Sequence, residues 1–182
     1  MSSVQISEIQ GVRVTKSISA SDSRGTFIKV QPFREFEQSL DSVALSINPR
    51  HGTIRGLHFQ IEPFAEEKII TCIQGSIFDV IVDIRPQSKT LGKWATFELS
   101  AKNGDQAYLP KGIAHGFQTL QPDTIIHHCL STSYSPESSY SIDPFGELRI
   151  NWPLKEFSIS ERDAGGISFS TAAYKYAQSL EG

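Results

Sequence analysis

Between Val43 and Leu130 apolar and polar residues fall into short extended runs: Val43 to Ile47, Lys68 to Ile73, Ile77 to Ile84, Trp94 to Leu99, Gln106 to Leu109, Gly116 to Leu120 and Thr124 to Leu130. Their β-branched and aromatic content marks them as strands. Turn formers separate most of them, as in Gln74-Gly75-Ser76, Arg85-Pro86-Gln87-Ser88, Lys102-Asn103-Gly104-Asp105, Pro110-Lys111-Gly112 and Gln121-Pro122-Asp123. None of these joints can hold a crossover helix, so the strands are expected to pair antiparallel in an all-β sandwich or barrel. Helix is expected only over Phe33 to Leu40 and Thr171 to Leu180, both too short to found a second domain. Residues 1–182 are therefore read as a single domain with short peripheral helices. The apolar run from Ile77 to Ile84 is broken by Asp79 and Asp83, which is incompatible with a transmembrane helix.

Composition narrows the class further. Seventeen basic against 20 acidic side chains give a net charge of −3, so a nucleic-acid clamp is not expected. With 38% hydrophobic residues the chain can bury a full core. The opening Met1-Ser2-Ser3-Val4-Gln5 has no basic stretch followed by an apolar one, so a cytoplasmic location is expected, with no membrane partner. Cys72 and Cys129 lie far apart and read as small core residues rather than a disulfide or zinc pair.

Five histidines carry the candidate chemistry, and two sit in similar settings, Arg55-Gly56-Leu57-His58-Phe59-Gln60 and Gly112-Ile113-Ala114-His115-Gly116-Phe117. Histidine transfers protons near neutral pH and also binds metals; the bland alternative is a hydrogen-bonded core residue. The stretch from Gly104 through Pro110-Lys111-Gly112-Ile113-Ala114-His115 resembles the second motif of the cupin superfamily, a double-stranded β-helix or jelly-roll barrel. Against the cupin metal motif, Gln60 replaces a histidine and Lys68 stands roughly where a glutamate belongs. A cation there repels a metal, so the barrel is expected to be metal-free. A histidine beside a lysine in a barrel mouth suits proton abstraction next to a carbonyl.

A narrower resemblance rests on Ile54-Arg55-Gly56-Leu57-His58-Phe59-Gln60, Lys68-Ile69-Ile70, the run Gly75 to Arg85, Gly92-Lys93-Trp94, Leu109 to Phe117, Ile150-Asn151-Trp152-Pro153-Leu154 and Ile159 to Ala164. In order and spacing these are similar to the dTDP-4-dehydrorhamnose 3,5-epimerase family. The resemblance implies a homodimeric, cofactor-free enzyme that inverts carbons flanking the C4 ketone of a nucleotide-diphosphate-linked 6-deoxy-hexulose. It implies His58 as base, Asp163 as the partner of its imidazole and Lys68 facing the developing C4 oxyanion. It further implies Arg24, Phe27, Lys29, Asn48, Arg55, His115 and Tyr134 at the substrate and nucleotide, with Asp79 in the polar lining. Without the resemblance, Asp163 reads as an N-cap for Ala164-Gly165-Gly166 and Lys68 as a solvated strand-end charge.

Departures from the family fall at informative places. Counting back from Tyr134-Ser135-Pro136 puts His128 where the family carries its general-acid tyrosine. His127 and His128 alternate across a strand, so only one can face the barrel interior. An imidazolium can donate a proton, but its geometry and protonation differ from a tyrosine's, which leaves open inversion at C3, C5 or both. Lys29 reverses the charge of the family's Arg-Gly-x-Phe-x-Glu, and Ser46-Ile47-Asn48 stands for its Gln-x-Asn. A 3,4-ketoisomerase and a non-catalytic sugar-nucleotide-binding barrel remain as alternative functions.

Overall fold

The computed structural model describes residues 4–6, 8–29 and 40–182. Its strands are β1 (Val4–Ile6), β2 (Arg13–Thr15), β3 (Ile18–Asp22), β4 (Gly25–Lys29), β5 (Ser42–Asn48), β6 (Ile54–Gln60), β7 (Lys68–Gln74), β8 (Ser76–Asp83), β9 (Trp94–Ser100), β10 (Gln106–Leu109), β11 (Ile113–Thr119), β12 (Thr124–Leu130) and β13 (Ser139–Ser141). Two helices follow, α1 (Glu161–Ala164) and α2 (Phe169–Ser179). One sheet runs β1-β2-β10-β7-β12-β5, the second β13-β6-β11-β8-β9, and β3-β4 forms a separate hairpin. The strand pairs are antiparallel, as the short joints require. The expected all-β jelly roll is borne out.

Alternation explains where the core lies. In β8, Ile77 and Ile81 point between the sheets with Ile70, Cys72, Leu99, Phe117 and Ile126. Val80 and Val82 point outward, where the C-terminal segment covers them with Ile142, Trp152, Ala172 and Tyr176. Both faces of this sheet are thus dry, which is why β8 lacks a polar face. Burial raises the Cys72 thiol to about 11, so it behaves as a small apolar residue.

Most strands follow the hydrophobic pattern, with two informative differences. The pattern starts β11 at Gly116, whereas the strand starts at Ile113. β6 was not expected from the pattern, because a bulge breaks its period: His58 pairs with His115 and Arg55 with Phe117, so Gly56 and Leu57 together oppose Gly116. That extra residue turns Arg55 and His58, three apart, to the same side. Glycine is required there, since Gly56 has φ +107° and a Cβ would sit 2.6 Å from the Gly116 Cα. The tail helix is α2, close to its expected span; of the helix expected over 33–40, all but Leu40 lies outside the described residues.

Candidate active site

One end of the barrel opens into a cavity lined by Arg55, His58 and Gln60 of β6, Lys68 of β7, His115 of β11 and His128 of β12, with Ala44, Leu45 and Ser46 of β5 at its side. Asp163 reaches it from the far end of the chain. Ser160 caps α1 by accepting from the Asp163 amide, so Asp163 is not itself the cap that a local reading makes it. Its carboxylate lies 2.7 Å from His58 Nε2 and accepts from the Gly56 amide at 3.1 Å and the Ser141 hydroxyl at 3.2 Å. Burial pushes this carboxyl up, but the His58 contact, the Gly56 amide and the Ser141 hydroxyl together hold it below the ordinary carboxylate range. An ionised carboxylate only accepts, so Nε2 carries the hydrogen and Nδ1 of His58 is left with a lone pair.

Lys68 is 6% exposed, not solvated. Its ammonium donates to the His58 carbonyl at 3.3 Å and pairs with Glu66 at 3.0 Å. His115 makes a second dyad, its Nε2 2.6 Å from Asp79. Arg55 donates through Nε to Asn48 Oδ1 at 2.8 Å, and Asn48 is anchored on the Thr124 carbonyl at 3.1 Å. The guanidinium is therefore aimed by a buried amide. Gln60 spends its amide on the Phe64 and Ser133 carbonyls and the Ser135 amide, clipping two loops at the mouth.

Of the two adjacent histidines, His128 lines the cavity and His127 does not. Its ring centroid is 6.3 Å from that of His115. Burial first, then the charges of His115, Lys68, His127 and Arg55, push its pKa down to about 3, so it is neutral at physiological pH. The imidazolium that the sequence comparison allows is therefore absent. Between pH 6.5 and about 3 the unfolded chain binds a proton at this position that the folded chain refuses. Stability consequently falls as pH drops through that window, by up to about 1.4 kcal/mol per pH unit from this group. His128→Gln should flatten the decline, measured as urea midpoints of both proteins from pH 7 to 4.

The exposed hairpin carries Arg24, Phe27 and Lys29 away from this cavity. Arg24 forks onto Asp22, with a closest contact of 2.6 Å, and Phe27 is 72% exposed. Tyr134 sits at the mouth, its hydroxyl accepting from Arg162 at 3.2 Å, while Arg162 also donates to Ser139 at 2.9 Å. Tyr140 contributes a ring packed on Phe59. Sequence reasoning missed Glu66, Ser139, Ser141 and Arg162. Only Glu66 left a signal, two places before Lys68 and so on the same side of an extended chain. Among the described residues no three His, Cys, Asp or Glu side chains are grouped to hold a metal.

Two antiparallel sheets closed over inward-facing His, Asp and Lys groups define a cupin-type enzyme. More narrowly, the chain belongs to the dTDP-4-dehydrorhamnose 3,5-epimerase family, whose model matches residues 6–171, and it is thereby an enzyme of the isomerase class. It is 40% identical over 171 residues to the dTDP-4-dehydrorhamnose 3,5-epimerase of Sinorhizobium fredii, covering 89% of this chain and 85% of that one. The fold superposes on the Bacillus anthracis dTDP-4-dehydrorhamnose 3,5-epimerase with TDP and PPi bound, with TM-score 0.86, 34% identity and coverage of 92% and 99%. It is similar also to ChmJ, a 3'-monoepimerase from Streptomyces bikiniensis in complex with dTDP-quinovose, with TM-score 0.84, 26% identity and coverage of 96% and 95%.

Proposed function

We propose that this protein epimerises a dTDP-linked 4-keto-6-deoxyhexose in deoxysugar biosynthesis, inverting one carbon next to the C4 ketone. The observation that carries the reading is the His58–Asp163 pair beside the buried Lys68. His58 Nδ1 takes the α-proton, the electron pair moves onto the C4 oxygen, and Lys68 faces the resulting oxyanion. Asp163 keeps the imidazole in the tautomer this needs and balances its charge once protonated. Return of a proton to the opposite face completes inversion, and no redox cofactor is needed because the carbon's oxidation level does not change.

His128 fills the place of the family tyrosine as a neutral imidazole, so the opposite-face proton comes through solvent beside it rather than from a resident acid. We expect that route to serve one carbon and leave the other uninverted; the similarity to a monoepimerase supports this. Arg55, aimed by Asn48, suits the diphosphate, and His115 and Tyr134 complete the polar lining. Arg24, Phe27 and Lys29 reach substrate as the hairpin of a second copy in a homodimer. The exposed apolar face of β5, Val43, Leu45 and Ile47, supports that assembly. No helix among the described residues is long and apolar enough to cross a membrane; a cytoplasmic enzyme is proposed.

The test is incubation with dTDP-4-keto-6-deoxy-glucose in deuterium oxide, reading label at C3 and C5 by NMR. Label at one carbon is expected. Label at both would overturn the single-centre assignment and keep the epimerase, whereas no label would overturn both.

A further inference from the structure

Two carboxylates precede Lys68, and the chain sends them in different directions. Glu67 accepts a hydrogen bond from the Tyr108 hydroxyl inside the wall. Glu66 instead lines the cavity, its Oε1 3.0 Å from Lys68 Nζ, with the two side chains 10% and 8% exposed. This is a buried ion pair inside a substrate cavity, a place where removing one partner leaves the other charge uncompensated.

The geometry gives the pair a task. An ammonium has three N–H donors on a flexible four-carbon stem, and nothing intrinsic to lysine selects their directions. Here the His58 carbonyl accepts one donor, and the Glu66 carboxylate draws the ammonium as an ion pair at 3.0 Å. The His58 carbonyl ties the ammonium to the strand that carries the base, and Glu66 holds it from the segment just before β7. The donors that the His58 carbonyl does not hold are left for the substrate oxygen.

We propose that Glu66 is a positioning residue for the reaction: it fixes the Lys68 ammonium so that one N–H meets the C4 oxygen as negative charge develops there. The inference rests on the reading of Lys68 as the oxyanion partner. Because that charge exists only as the α-proton leaves, misplacing the ammonium weakens the transition state far more than the bound ketone. The loss therefore falls on kcat rather than KM.

The test is steady-state kinetics of Glu66→Ala, Glu66→Gln, Lys68→Ala and the Glu66→Ala/Lys68→Ala double variant, following α-proton exchange on dTDP-4-keto-6-deoxy-glucose. Lys68→Ala is expected to lose about 10²–10³-fold in kcat, the scale of a lost oxyanion donor. Glu66→Ala should lose about 10–100-fold in kcat with KM within about threefold. Glu66→Gln, whose amide oxygen keeps a partial negative charge beside the ammonium but not the full one, should recover part of that loss and remain below wild type. In the Lys68→Ala background Glu66→Ala should cost nothing further, since the group it positions is gone. Wild-type kcat in Glu66→Gln, or a Glu66→Ala loss that adds in full to that of Lys68→Ala, would overturn the positioning role while leaving the Lys68 reading intact. Wild-type kcat in Lys68→Ala would overturn the Lys68 reading, and the role of Glu66 with it. The Gln variant keeps the shape of the side chain, so it carries the test if the Ala variant fails to fold.

Discussion

Replacing His58 by Ala or Asn is expected to reduce α-proton exchange by about 10²–10⁴-fold, the contribution of a positioned general base. The imidazole combines a ring oriented by a carboxylate with a free lone pair: Nε2 is committed to Asp163 at 2.7 Å, which leaves Nδ1 to accept a proton. Lys68 is an ammonium paired with Glu66, and His115, which makes a like dyad with Asp79, is set deeper, its side chain only 5% exposed. The side chain of His58 is 38% exposed, so its truncation opens little buried volume. His58→Asn keeps a donor for Asp163 and separates the two effects. Both variants should be equally inactive, with Asn retaining the wild-type melting temperature within a few degrees. Exchange at more than a tenth of the wild-type rate in His58→Asn would remove His58 from the role of base. Label at C3 and C5 read by NMR is the measurement.

The second large effect is expected from Asp163→Asn. The carboxylate accepts from three donors, on His58, Gly56 and Ser141. An amide offers one oxygen and one NH2 group, so it cannot serve all three. Turning its NH2 toward His58 selects the tautomer protonated on Nδ1, the atom that must take the substrate proton. A loss of about 10²–10⁴-fold in kcat with little change in KM follows, by the logic of any base whose tautomer is held by a carboxylate. The variant also loses about 1–3 kcal/mol of stability, because a buried hydrogen-bonded anion is replaced by a partly unsatisfied amide.

The same substitution has a pH signature. Since the Asp163 carboxyl is held below its ordinary 3.8, its stabilising contribution is present above that pH and is lost as pH falls through the lower folded-state value. Asp163→Asn removes this part of the acid dependence. His128→Gln acts higher, between pH 6.5 and about 3, so the two unfolding profiles separate the contributions. Urea midpoints across pH 7 to 2 check both.

Much of the barrel was legible because strand period and turn chemistry agree. β12 reads Thr-Ile-Ile-His-His-Cys-Leu over the span the pattern predicts, and β10 likewise. β6 escaped, although it carries Arg55 and His58, because its bulge at Gly56 and Leu57 cancels the alternation by which strands are recognised. β13 is three residues long and sits in a serine-rich stretch that reads as loop. The same local reading made Asp163 a helix cap, and the structure gives that task to Ser160.

The candidate site was legible residue by residue only through family motifs. His58 and Asp163 are 105 positions apart, and no local periodicity brings such a pair to 2.7 Å. The motifs also drew in Arg24, Phe27 and Lys29, which lie on the exposed hairpin and not at this chain's cavity. Glu66 had no motif to announce it. Its contact with Lys68 follows from extended-chain alternation, but the burial that gives the contact meaning does not.

The sequence by itself determined the class of fold, the order of most strands and the rule that only one of His127 and His128 can face inward. These are local properties, set by side-chain period and by backbone preferences at turns. Tertiary structure alone decided which of the two histidines faces the cavity, and that His128 is neutral there. It also decided that Lys68 is buried against Glu66 and that Asp163 lies 2.7 Å from the His58 ring. The physical reason is common to all four. Each depends on how much water and how many charges surround a group, and those are supplied by strands distant in the chain that meet only when the two sheets close.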